Sequence, residues 1–204
     1  MPKQVRRRSP RGSGEELRGE IIAAARDLMA QAATSDEVSI RSVATAVGVT
    51  APSIYLHFAD KQELISAVVV DVFEELDRAM VAASESATDP LERLKAMGMA
   101  YVRFAVDHPE HYRVATMDPC PRPDVDEMLA AGCFVHFRDV VEECVASGVF
   151  APDDITLLTI ELWSAAHGIA ALMVAKPFLP IGDPMEMADR VLTASAFGHL
   201  APPP

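Results

Sequence analysis

The chain has 204 residues, half of them apolar, only 10 glycines, and a formal charge of −12. That is enough apolar material for one large core or two small ones, and abundant alanine, leucine, methionine and glutamate favour helix, which excludes disorder away from the ends. No run of 18 uncharged apolar residues occurs and no apolar signal core follows the basic start, so the expectation is a cytoplasmic protein with no membrane partner.

The charge is uneven. Residues 1–60 hold eight Lys or Arg against seven Asp or Glu, a net of +1, so the remaining 144 residues carry −13. An acidic body repels a polyanion everywhere except where local charge permits approach. Residues 1–14, MPKQVRRRSPRGSG, contain five basic and no acidic residues. They read as a disordered arm able to follow phosphates or enter a minor groove. Glu15 to Ala33 reads as the first helix, with Leu17, Ile21, Ala24, Ala25, Leu28 and Met29 as its buried stripe. Ser35, Asp36 and Glu37 form a loop.

Ser39 to Lys61, SIRSVATAVGVTAPSIYLHFADK, follows. Ser39 caps a helix whose Ile40, Val43, Ala44 and Val47 share one face. Gly48 stands where a left-handed conformation ends it, and Val49 plugs the turn. Thr50 is placed to cap a second short helix, with Pro52 in its first turn. Ile54 and Phe58, four apart, pack inward and leave Ser53, Tyr55 and His57 pointing elsewhere. Asp60 caps a third helix, and Glu63 completes a capping box. Helix, glycine turn and helix make a helix-turn-helix, whose second helix enters the major groove. Thr50 and Ser53 suit base edges or phosphate. Tyr55 and His57 suit phosphate oxygens, Arg41 and Lys61 add charge, and Ala51 suits a thymine methyl.

The run from Ala44 to Lys61, with Gly48, Val49, Tyr55, His57, Phe58 and Lys61, resembles the DNA-binding domain of the TetR family of transcriptional regulators. The likeness is strong over about Glu16 to Val70 and looser beyond. It implies an all-α fold: a three-helix DNA-binding domain over residues 15–60, and a bundle over 61–204 that dimerises and binds small molecules. Ala51 and Pro52 depart from the Lys-Gly or similar pair common in the family, which removes a cation and stiffens the start of the reading helix.

The helix from Lys61 to about Ser84 buries Leu64, Val68, Val72, Phe73, Leu76 and Met80. In the family its counterpart joins the two domains. Ala83 to Asp89 is a polar break, and Asp89 and Pro90 open a helix to about His108. Its inward face is Leu94, Met97, Met99, Tyr101, Phe104 and Ala105. Pro109 forces a break before a short helix to Met117. Residues 118–124, DPCPRPD, read as a rigid loop able to border a ligand entrance. A helix from Asp126 to about Ser147 carries Met128, Leu129, Phe134, Phe137, Val141 and Val145, and Gly148 ends it. Asp153 or Asp154 starts another, to Ala175, and Pro184 to Gly198 forms the last.

Trp163 and His167 lie four apart on one helix face, followed by Gly168, and resemble the Trp-His-Gly subgroup of TetR-family C-terminal domains. That likeness implies a homodimer through the last two helices. Ala165, Ala166, Ile169, Ala170, Leu172, Ala188, Val191, Leu192, Ser195 and Ala196 would allow their close approach. Met97, Tyr101, Phe104, Met117, Phe134, Phe137, Trp163, His167 and Met173 are candidates to line one cavity for a small apolar or amphipathic ligand. Each is also an ordinary core residue when taken singly.

No Glu-x-x-His pair, H-E-x-x-H, phosphate-binding glycine loop or G-x-S-x-G occurs, so an enzyme is not expected, nor a cofactor. His108 and His111 bracket Pro109 and Glu110 without a metal pattern. Cys120, Cys133 and Cys144 read as reduced thiols with no basic cluster beside them. The alternative to a DNA-binding regulator is a ligand-binding bundle with weak or no sequence-specific DNA binding.

Overall fold

The computed structural model describes residues 13–117, 133–180 and 182–202. The described residues are helical throughout, apart from short turns and one isolated bridge between Phe150 and Leu200. In chain order the helices are α1 (Ser13–Gln31), α2 (Ile40–Val47), α3 (Ala51–Tyr55), α4 (Lys61–Ser84), α5 (Pro90–Asp107), α6 (Pro109–Thr116), α7 (Cys133–Ala146), α8 (Ile155–Ala175) and α9 (Pro184–Phe197), with a single 3-10 turn at Ser35–Glu37. The all-α expectation holds. The basic arm, the proline loop, Met128 and Leu129 lie largely or wholly outside the described residues.

Local chemistry places the ends. Ser39 Oγ accepts from Ser42 N at 3.1 Å while Ser42 Oγ takes the Ser39 N–H, a reciprocal cap. Gly48 adopts φ +80°, the left-handed conformation its position requires. Asp60, Asp89, Asp154 and Asp183 each accept backbone N–H groups from the first turn of the next helix. Glu63 departs from the expected box: its carboxylate takes the N–H of Ala59 at 2.6 Å rather than that of Asp60. The chain enters α4 in an extended conformation at Asp60, which brings Ala59 within reach instead.

The first three helices pack through Ile21, Ile22, Ala25, Met29, Val43, Ala44, Ile54 and Phe58, all buried. Ile22, outside the predicted stripe, belongs to this core. All six predicted apolar residues of α4 are buried, and α4 packs on α1, α5, α6 and α7. Arg26 of α1 ties it further, 3.0 Å from both Asp71 and Glu75. α5 lies at the centre of the second half, against α4, α7, α8 and α9. Lys95 pairs with Asp189 at 2.6 Å and joins α5 to α9. α8 is long and apolar enough to cross a membrane by length and composition, although Glu161 interrupts it.

Of the ten residues expected between two copies, Leu172 is exposed, Ala165, Val191, Leu192, Ser195 and Ala196 are half-buried, and four lie inside. Ala166, Ile169, Ala170 and Ala188 are buried in the chain's own core and are unavailable to a second copy. The outer stripe of α8 is Leu157, Ile160, Ser164, Gly168 and Leu172, all exposed. Helical spacing alone serves both faces of a helix this apolar, which is why Ala166, Ile169 and Ala170 could not be told from its outer face.

Two glycines give opposite expectations. A Cβ at Gly48 or at Gly19 meets nothing within 4 Å, but only Gly48 has positive φ. Gly48→Ala lowers the unfolding free energy by about 1–2 kcal/mol, from the left-handed strain. Gly19→Ala, inside α1, raises it by about 1 kcal/mol. Urea unfolding followed by circular dichroism measures both.

Candidate functional site

Two regions carry chemistry. The first is the surface around α3. Ile54 and Phe58 are 0% and 1% exposed and anchor the segment, leaving Tyr55 54% exposed. The guanidinium of Arg18 stacks over the Phe58 ring at 5.1 Å, an α1 contribution that sequence patterning missed. Thr50 and Pro52 are exposed; Ala51, Ser53 and His57 are half-buried. Thr50 makes no side-chain cap: its hydroxyl lies 2.9 Å from that of Ser53, so the two form a hydroxyl pair at the start of α3. Arg41 is exposed in the first turn of α2.

Lys61 is placed differently from expectation. Its Nζ donates to the carbonyl of Asp36 at 2.5 Å and lies 3.7 Å from the Asp36 carboxylate. Lys61 therefore pins the 3-10 turn to the start of α4, and its charge is partly engaged there. Leu56, 84% exposed, was overlooked. The Ile54–Phe58 spacing was signal enough, because it puts residue 56 on the opposite side. Among the described residues the surface thus offers hydroxyl donors, the exposed Arg41 and an exposed apolar side chain.

The second region is the interior of the bundle. Tyr101 of α5, Tyr112 of α6 and His167 of α8 meet in a triangle. The Tyr101 hydroxyl lies 3.0 Å and the Tyr112 hydroxyl 2.7 Å from His167 Nδ1, and the two hydroxyls are 3.2 Å apart. Nδ1 accepts from a tyrosine hydroxyl in the tautomer protonated at Nε2 and donates to one in the other. Trp163 lies 5.6 Å from His167 by ring centroid and meets Phe134 edge to face at 5.8 Å. Tyr112 is fully buried, and burial raises its hydroxyl above the ordinary range. Burial pushes His167 below its usual value near 6.5 and keeps it neutral at physiological pH. Tyr112 was absent from the expected set, since nothing in its own short helix marks it apart from the neighbouring core residues.

The other candidates do not join this cluster. Met97 and Met173 are buried in the core. Phe137 lines an apolar cavity of about 170 Å³ between α5, α8 and α9, together with Leu94, Gly98, Leu162 and Leu192. Phe104 faces a groove between α4 and α5, and its ring lies 5.1 Å from that of His108. Met117 is 41% exposed. The nine expected residues therefore fall in several places, of which the Tyr101–His167–Trp163–Phe134 grouping is the most coherent. Cys144 is buried, and burial raises its thiol to about 11, which makes it a poor nucleophile.

The description "Bacterial regulatory proteins, tetR family" matches residues 21–68, and "Tetracyclin repressor-like, C-terminal domain" matches residues 94–195. The HTH-type transcriptional repressor KstR2 of Mycolicibacterium smegmatis is 26% identical over 167 residues, covering 70% of this chain and 78% of that protein. A protein of unknown function from Rhodococcus sp. RHA1 superimposes with a TM-score of 0.77 at 26% identity, over 90% of this chain and 95% of that one. RolR in complex with resorcinol has a TM-score of 0.68 at 18% identity, over 93% and 90%.

The depressed His167 sets a sign for pH. The unfolded chain binds the proton more readily, so the stability from a neutral His167 is complete above its usual value and is lost as pH falls towards its folded value. Between about pH 7.5 and about pH 5.5 the wild type loses unfolding free energy, and His167→Asn, which keeps an acceptor for Tyr112 but cannot titrate, loses less. Urea titrations at each pH provide the comparison.

Proposed function

The chain belongs to the TetR family of transcriptional regulators, and on that premise we propose that it is a repressor released from a palindromic operator by a small apolar or amphipathic ligand. The observation that carries the reading is the helix-turn-helix itself: a reciprocal cap at Ser39, left-handed Gly48, and an anchored α3 that leaves Tyr55 outward. The DNA-binding unit is taken as residues 15–60, after a basic arm at 1–14, and the ligand and dimerisation unit as 61–204. Tyr55, His57, Thr50, Ser53 and Arg41 are assigned to the duplex, Ala51, Pro52 and Lys61 to its edge. Repression rests on the likeness to KstR2, which is named a repressor. A cytoplasmic site of action follows from the DNA partner.

One short helix reads few bases, so the proposal includes a homodimer that sets two reading helices about 34 Å apart. The support is the outer stripe of α8, where Leu157 is 60% and Leu172 43% exposed, with Phe197 of α9 at 69%. An exposed apolar stripe of this length is suited to a cover, and Gly168, with open space where a Cβ would stand, permits close approach. Trp163, His167 and Gly168 are read as a Trp-His-Gly signature. The ligand is assigned to the aromatic grouping around Tyr101, Tyr112, His167, Trp163 and Phe134. RolR, of the same fold, holds resorcinol. A ligand that prefers one of two dimer states shifts DNA affinity by its differential affinity, typically about 1–3 kcal/mol.

Among the described residues, the engagement of Lys61 by Asp36 leaves few free cations beside α3 and favours weaker binding as the second reading. Tyr55→Phe and His57→Ala separate the two. Each weakens binding to the duplex upstream of the protein's own gene by about tenfold, the loss of a hydrogen bond to a charged phosphate, with the helical circular dichroism unchanged. Fluorescence anisotropy reads the affinity, and unaltered affinity in both variants refutes the assignment. Leu172→Glu converts the dimer to a monomer by light scattering; a dimer that persists in this variant contradicts the interface.

A further inference from the structure

The outward face of α3 lacks the groups that read base edges by paired hydrogen bonds. Between Thr50 and His57 the sequence holds no arginine, lysine, asparagine, glutamine, aspartate or glutamate. Arginine and lysine pair with guanine, asparagine and glutamine with adenine, and the acids with cytosine. None of those pairings is open to this helix. The hydroxyls of Thr50 and Ser53 lie 2.9 Å apart, so one of their two protons is used between them. A hydroxyl also serves any of the bases and discriminates little.

What the face does offer is apolar. Pro52 and Leu56 stand four apart, Tyr55 lies beside both, and all three are exposed. Leu56 keeps right-handed helical dihedrals (φ −74°, ψ −17°), so it continues the face of the helix rather than turning from it. Ile54 and Phe58, two residues to either side, are buried and fix its backbone. Among the described residues only Phe178 is a more exposed large apolar side chain. A lone surface leucine carries no meaning. Three adjoining apolar bodies on the helix that enters the groove form a patch, continuous with the surface assigned to the duplex.

The floor of the major groove has one apolar feature, the C5-methyl of thymine, which sets that base apart from the other three. We propose that Leu56, backed by Pro52, is a specificity-determining residue that reads thymine methyl groups, so that operator recognition runs through apolar contact rather than paired hydrogen bonds. The exposed Arg41 and the hydroxyls then set the position of the helix on the phosphates. A methyl is buried against Leu56 only where thymine stands at the contacted step. Cytosine there leaves the leucine without its apolar partner. The inference rests on the DNA-binding function proposed above and names the chemistry by which it discriminates.

Selection of duplexes from a random pool by the full chain, at physiological salt, supplies the substrate for the test. The enriched site is synthesised once with thymine and once with uracil, which pairs identically and lacks only the methyl. Fluorescence anisotropy then shows a loss of about fourfold for each contacted methyl removed, and about fifteenfold with one in each half-site. Leu56→Ala, at a position too exposed to disturb folding, weakens binding to the thymine duplex and brings the thymine-to-uracil ratio close to one. Arg41→Ala weakens both duplexes together and leaves the ratio at its wild-type value. A wild-type ratio near one overturns the proposal. So does a ratio that persists undiminished in Leu56→Ala, because the methyl then acts through the shape of the duplex or through another residue. In both of those cases the enriched site, and with it the DNA-binding function, still stands. A pool in which no sequence is enriched refutes that function and this inference together.

Discussion

The whole arrangement depends on one helix being buried on behalf of both halves of the chain. α4 runs unbroken from Lys61 to Ser84 and buries Leu64, Ile65, Val68, Val69, Val72, Phe73, Leu76 and Met80 along its length. Burying a large aliphatic or aromatic side chain is worth about 1.5–3 kcal/mol, so bending or sliding α4 at mid-length would expose several such contributions together. The helix can shift as a rod more readily than it can break. Its first turn is fixed by Asp60 and by the hold of Lys61 on Asp36, and its middle by Arg26 between Asp71 and Glu75. Movement in the bundle and movement of the helix-turn-helix are thus tied by geometry before any ligand or duplex is considered.

Most elements were legible because their signals are local. Ser39, Gly48, Asp60, Asp89, Asp154 and Asp183 act within a turn of their own position, and the Ile40–Val43–Ala44 and Ile54–Phe58 spacings describe one face each. Predicted and observed bounds of α4 coincide, and those of α1 differ by two residues at either end. The resemblance carried the domain plan that spacing alone could not supply. What escaped was long-range. Arg113 meets carbonyls about eighty residues away, and neither partner advertises the other. Tyr112 reads as a core residue until His167, from a distant helix, arrives beside it. In α8 the failure has another cause: a helix apolar all round gives no contrast by which to choose its inner face, so Ala166, Ile169 and Ala170 looked as available as Leu157 and Leu172.

The site is correspondingly uneven. Among the described residues around α3 the donors are chiefly neutral hydroxyls, with Arg41 and Arg18 exposed nearby, set on a chain whose net charge is strongly negative. Such a surface gains little from non-specific attraction and must earn its affinity through fit, which favours discrimination between sequences over general adhesion. Inside the bundle, one neutral histidine shared by two tyrosine hydroxyls forms a polar point in an apolar setting. Paired it rigidifies the core; disturbed it leaves buried polar atoms without partners.

The central claim is sequence-specific recognition of a duplex, and the most direct test is the ratio of two affinities. Fluorescence anisotropy of the purified protein on the DNA upstream of its own gene, beside a scrambled duplex of equal length at physiological salt, gives that ratio. The account predicts a preference of about a thousandfold or more for the native sequence. Equal, weak binding to both duplexes would contradict it and leave the bundle as the functional part of the molecule.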